Sequence, residues 1–174
     1  DGVTLNDSLT TSGALTINAD SDAGDGLGTF TVAAGVTVST QSNVLDITTN
    51  DLDIFGSVSS GSASTTIQDS DGGGIGLGDA TIVGGLNLSI VDLQDFTANG
   101  LTVTTAGNVD VDNMSQPNTI TGITTINAVG VASTVSFFNN ASSFNSVAVN
   151  ASDGVAFDAG LSTNVGGINI NADV

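Results

Sequence analysis

The sequence predicts an all-β chain, and three observations carry that reading. Most strong helix formers are missing: the 174 residues include no Glu, Lys or Arg, while Gly occurs 23 times. Short triplets of alternating apolar and polar residues recur from end to end, the period-2 mark of a strand with one buried face. Clusters of Asp, Asn, Ser and Gly separate these triplets, as turns require. A hydrophobic content of 39% is enough for a core, so the formal charge of -18 does not signify disorder. The length suits a single domain spanning residues 1–174.

The expected strands run in order through VTL (3–5), LTI (15–17), FTV (30–32), VTV (36–38), LDI (45–47) and LDI (52–54). They continue through TTI (65–67), LNL (86–88), LTV (101–103), VDV (109–111), TTI (124–126), VAV (147–149) and INI (168–170). The intervening turns are marked by DSDAGDG (20–26), SSGSAS (59–64), DSDGGG (69–74) and NNASS (139–143). No stretch keeps a 3.6-residue period, so every element reads as strand or turn.

Such short, frequent strands fit either a sandwich or barrel, or a β-solenoid of stacked coils. Hairpin dipeptides such as Asp71-Gly72 and Asn99-Gly100 occur, and they do not decide between the two. Composition favours the solenoid, with small residues at corners and β-branched ones inside. Seven Phe without Tyr or Trp suit a narrow core, since the ring carries no polar atom that needs a partner. At ~20 residues per coil the chain would make about eight or nine coils. The expected core is Phe30, Val32, Ile47, Ile54, Leu88, Leu101, Val103, Val111, Ile126, Val149, Phe157 and Ile170.

The missing residue types exclude chemistry as well as helices. Without His, Cys or Lys there is no Ser-His or Cys-His pair, no Schiff base and no zinc site of the His/Cys kind. Every acid is Asp and no cation is present, so nucleic-acid phosphates and anionic membranes would repel the chain. No run approaches the ~20 apolar residues of a membrane helix. Carboxylate pairs of glycosidase type are the catalytic groups left in number. No Trp or Tyr is available to stack a sugar, and the expectation is a protein that is not an enzyme. Asp1 is followed by no charged leader or signal-type apolar run, so the chain reads as a mature protein or an excised piece of one. The lack of Cys leaves the redox compartment open.

The two ends resemble each other. Asp1-Gly2-Val3 matches Asp153-Gly154-Val155, Leu9 matches Leu161 and Thr11 matches Thr163. With one inserted residue, Ile17-Asn18-Ala19-Asp20 matches Ile170-Asn171-Ala172-Asp173. That order predicts a tandem repeat of about 152 residues (1–152), with 153–174 opening the next copy.

The stretch GGGIGLGDATIVGGLNLSIVDLQDFTANGLTV (72–103), with ADSDAGDGLGTFTV (19–32) and NDLDIFGSVSSGSASTTI (50–67), resembles the repeats of filamentous-haemagglutinin-like bacterial surface proteins. It is also similar to other long tandem-repeat bacterial proteins. The resemblance implies a right-handed parallel β-helix, exported to the cell surface as an adhesin or fibre. It carries over no ligand residues, because those repeats are chiefly scaffold. Nothing here resembles the amino-terminal secretion domain of that family.

Asp20, Asp22 and Asp25 lie in a tight glycine loop and invite a calcium reading, since hard cations take oxygen ligands. The spacing departs from an EF-hand: the third acid falls one place late and Thr31 stands where Glu is required. A solvated turn is the alternative. The pairs Asp51/Asp53, Asp69/Asp71 and Asp110/Asp112 read as a solvated face, with Val109 and Val111 inward and a cation bridging chains as the second option. GGGIGLGDA (72–80) reads as backbone packed on backbone, with neither a phosphate loop nor a calcium β-roll unit intact. The Thr-x-Thr triplets at 29–31, 102–104 and 119–121 are too unevenly spaced to predict a ranked Thr face of the ice-binding kind. The expected function is a structural segment of an extracellular repeat protein, a fibre, sheath or adhesin stalk whose partner is itself. The alternative is an adhesin module that binds carbohydrate or a host surface through its outer face.

Overall fold

The computed structural model describes residues 2–22 and 24–174. Three strands open the chain, β1 (Gly2–Leu5), β2 (Leu9–Thr10) and β3 (Leu15–Asn18), each beginning a different sheet. Two more triplets stack on them face by face. These are β4 (Thr29–Val32), β5 (Thr37–Ser39) and β6 (Leu45–Thr49), then β7 (Asp51–Ile54), β8 (Ser57–Ser59) and β9 (Ser64–Asp69). An elaborated stretch follows, with β10 (Ile75–Gly78), β11 (Leu86–Leu88), a short helix α1 (Ile90–Gln94), β12 (Phe96–Thr97) and β13 (Gly100–Thr105). The climb resumes through β14 (Val109–Asp112) and β15 (Ile123–Ala128). It continues through β16 (Thr134–Phe137), β17 (Ser142–Phe144) and β18 (Ser146–Ala151), then β19 (Gly154–Phe157), β20 (Leu161–Thr163) and β21 (Ile168–Asn171).

Every strand pair among the described residues is parallel, and the longest sheet runs β3-β6-β9-β13-β15-β18-β21. This is a parallel β-solenoid, as the composition predicts. Its register is continuous: Ile17, Ile47, Ile67, Val103, Ile126, Val149 and Ile170 form one inward rank. Successive members lie 30, 20, 36, 23, 23 and 21 residues apart in sequence. A turn of ~20 residues is therefore the basic unit. Two turns are longer because segments loop out before the chain returns to its rank.

Of the expected core, Phe30, Val32, Ile47, Ile54, Leu88, Leu101, Val103, Val111, Ile126 and Val149 are buried. Phe157 and Ile170 are 45% and 44% exposed, which corrects that part of the reading. Each belongs to the last rung and has a neighbouring rung on one side only. Phe157 stacks on Phe137 with ring centroids 5.0 Å apart. Phe30, Phe96, Phe137 and Phe144 are fully buried, whereas Phe55 is exposed at the bend after β7.

Helix α1 corrects the expectation that no helix forms. The Ser89 side chain accepts from the Asp92 backbone N–H at 3.2 Å, and Asp92 Oδ2 accepts from the Ser89 N–H at 3.1 Å. This reciprocal cap, together with burial of Leu93, sustains one turn that is too short to show a period. In the glycine run, β10 lies between β11 and β14 with all four residues buried. A Cβ at Gly78 would sit 2.2 Å from the Asp112 carbonyl oxygen, so backbone does pack on backbone there.

Candidate functional site

The two lengthened turns meet at one place on the surface. The segment after β3 (Gly26, Gly28), the β6–β7 corner (Asn50, Asp51) and the segment between β10 and β11 (Gly84, Gly85) together line a cavity of about 280 Å³. No aromatic ring lines this cavity or the surface hollows around Gln116 and around Asp22.

The loop after β3 is held by one carboxylate and one hydroxyl from a later turn. Asp71 accepts from the backbone N–H groups of Gly24 and Gly26, the latter at 2.8 Å. Ser70 Oγ donates to Asp20 Oδ2 at 2.6 Å. Asp25 Oδ1 accepts from the Leu27 N–H at 3.0 Å and so shapes its own turn. Gly28 has φ +96°, and a Cβ there would lie 2.3 Å from the Asp20 Cβ, so no other residue fits without displacing that side chain. Beneath it, Thr49 Oγ1 lies 2.7 Å from the Gly28 carbonyl oxygen and 2.6 Å from that of Asp51, and accepts from the Phe30 N–H at 3.1 Å.

The structure does not gather Asp20, Asp22 and Asp25 around one point. Asp20 is buried, Asp25 is exposed, and Asp22 is exposed beside Gly2 and Asn18. Among the described residues no three carboxylates, these included, are placed to share a metal ion.

Two of the Asp-x-Asp pairs depart from the solvated face expected of them. Asp69 is 3% exposed and ends its strand inside a corner, where Oδ2 accepts from Thr105 Oγ1 at 2.6 Å and from the Gly74 N–H at 3.1 Å. Asp112 is also buried, at the end of β14. Its carboxylate accepts from Asn139 Nδ2 at 3.1 Å and from Asn140 N and Nδ2 at 3.0 and 3.1 Å. Those donors, Asn139 first, hold the Asp112 carboxyl below the usual carboxylate range. Asp110 stays partly open with Val109 and Val111 inward, and burial raises its carboxyl above the usual range. Burial also raises Asp51, helped by the charges of Asp53 and Asp92 and opposed by the Leu52 N–H.

Sequence reasoning missed Asp71, Thr49 and Asn50 as the residues that build the cavity wall. Their signal is positional. Asn18 pairs with Thr48 and Thr49 with Asp69, so Asp20, Asn50 and Ser70 fall at one corner of successive turns. That alignment depends on the register, which unequal turn lengths conceal in the sequence.

No family model matches the chain, and neither the curated proteins nor the solved structures include a match to it. The likeness to filamentous-haemagglutinin-like repeats accordingly remains a resemblance.

Proposed function

We propose that the chain is a structural segment of an extracellular repeat protein, serving as a fibre, sheath or adhesin stalk that grows by continuing the solenoid. One observation supports this above the others. Ile17 and Ile170, matched in sequence, stand in the same inward rank as the first and last members of the seven-stranded sheet. Asn18 and Asn171 likewise share the outward rank beside it. Of the other matched residues, Leu9 and Leu161 both open the second strand of their turns, while Asp1 lies outside the described residues.

A repeat that closes on a whole number of turns can be joined to another copy without rotating the faces. Six steps separate β3 from β21, which gives an axial repeat of roughly 29 Å at ~4.8 Å per rung. Growth of this kind also pairs the open strand edges that a solenoid end presents.

The test is immunogold labelling with an antibody raised against the folded chain. On unpermeabilised source cells it should decorate thin surface filaments along their length. Labelling confined to the cell interior would contradict the proposal.

A further inference from the structure

We infer that the corner around Gly28 is a calcium site, with Asp20 Oδ1 and Asn50 Oδ1 as its side-chain ligands. Among the described residues, these are the two buried side-chain oxygens that lack a hydrogen-bond partner. Asp20 is 3% exposed and Asn50 8%. They flank the same glycine. The Asp20 side chain packs against Gly28, and the Asn50 N–H donates to the Gly28 carbonyl at 3.0 Å. Both follow by two residues the paired positions Asn18 and Thr48, so they occupy the same corner on adjacent rungs, ~4.8 Å apart along the stack. Asn50 also lines the cavity between the two lengthened turns, which gives an ion a way in.

Buried acceptors without donors are unfavourable, and this corner has no hydroxyl to offer them. The Ser70 hydroxyl is already given to Asp20 Oδ2, and that of Thr49 to the carbonyls of Gly28 and Asp51. The chain has no Lys, Arg or His anywhere to supply a charged donor, and its net charge of -18 attracts cations. A carboxylate and an amide carbonyl are hard oxygen ligands. Calcium tolerates irregular oxygen shells completed by water, whereas magnesium demands a near-ideal octahedron. The assignment differs from a loop site built on Asp20, Asp22 and Asp25, since its second ligand comes from the next rung. Bound calcium would thereby pin the 20–28 loop to the stack, and this holds whether or not the protein forms fibres.

Isothermal titration with calcium chloride and thermal melting at matched ionic strength test the site. One ion should bind per chain, with a dissociation constant in the ~0.1–1 mM range of weak extracellular sites. Calcium should raise the melting temperature more than magnesium or sodium does. Asp20→Asn should weaken binding at least tenfold, while Asp158→Asn, on an exposed turn, should leave it unchanged. Asn50→Asp adds a carboxylate at the second ligand and should tighten binding at least tenfold. That variant keeps the test decisive if Asp20→Asn fails to fold. Equal melting in calcium and sodium, or binding that Asn50→Asp does not tighten, would overturn the assignment.

Discussion

From Val103 to Ile170 the chain climbs in steps of 23, 23 and 21 residues, whereas between Ile17 and Val103 two of its three steps are 30 and 36. The regular region is held by apolar ranks: Val103, Ile126 and Val149 are fully buried. The lengthened region shares those ranks, and polar groups are buried in it as they are at Asp112 and Gln116 in the regular one. It holds the buried Asp20, Asn50 and Asp69, and its loops leave Leu27 and Val83 exposed. The contrast teaches that turn length can vary without disturbing the apolar ranks. Stacked Ile, Val and Leu supply stability, and each lengthened turn is tied back by carboxylates accepting from backbone N–H groups and hydroxyls.

The largest effect should come from breaking the regular ranks. Ile126→Ala removes a fully buried side chain between Val103 and Val149 and should destabilise by about 2–5 kcal/mol. Urea titration should show a lower midpoint at unchanged slope. A loss under about 1 kcal/mol would mean that the rank is not closely packed.

A smaller loss is expected at the polar corner. Thr105→Val keeps the shape but removes the 2.6 Å donor to Asp69 Oδ2, leaving the Gly74 N–H on that oxygen. The expected destabilisation is about 1–3 kcal/mol. If Thr105→Val were more harmful than Ile126→Ala, polar ties and not apolar ranks would dominate, and the comparison would be reversed.

The smallest effect is in pH. Burial raises the carboxyls of Asp51 and Asp110, so their ionised forms oppose folding and the fold gains as pH falls toward the ordinary Asp range near ~3.9. Each gain should stay below about 1 kcal/mol, because both side chains remain partly in water. Asp112 has the opposite sign. Its contribution is present above the ordinary Asp pKa and is lost as pH falls through its lowered folded value. Stability should therefore rise slightly on mild acidification and then decline. Asp112→Asn should remove the decline, and Asp110→Asn should flatten the rise. A curve in which Asp112→Asn keeps the full acid loss would assign that limb to other carboxylates.

The contrast between regions also explains what could be read from the sequence. Triplets such as LTV (101–103) and VAV (147–149) state their own burial, because period 2 decides which face is inward. TTI (124–126) is read correctly at Ile126, yet its first Thr is buried too, satisfied by donating to Gln116 Oε1 at 2.9 Å. Helix α1 was hidden because its cap pairs Ser89 with Asp92 in place of the usual Glu or Gln. Of the Thr-x-Thr triplets, 29–31 and 102–104 lie in different sheets and form no common rank. Other threonines do align: Thr66, Thr102 and Thr125 follow Thr16 and Asp46 in one outward rank despite unequal sequence spacing, because the looped segments return the chain to its place. Sequence intervals measure the loops as well as the turns. The Gly28 corner was illegible for the same reason, since its partners are joined by register alone.

The central claim is that residues 1–152 form a repeat closing on six rungs of one continuous solenoid. Small-angle X-ray scattering on a chain in which residues 1–152 are followed by a second copy of 1–174 tests it most directly. The doubled chain should form a single rod of unchanged cross-section, longer than the original by roughly 29 Å, or six rungs at ~4.8 Å. Two separate bodies on a flexible link, or a thicker particle of unchanged length, would contradict it.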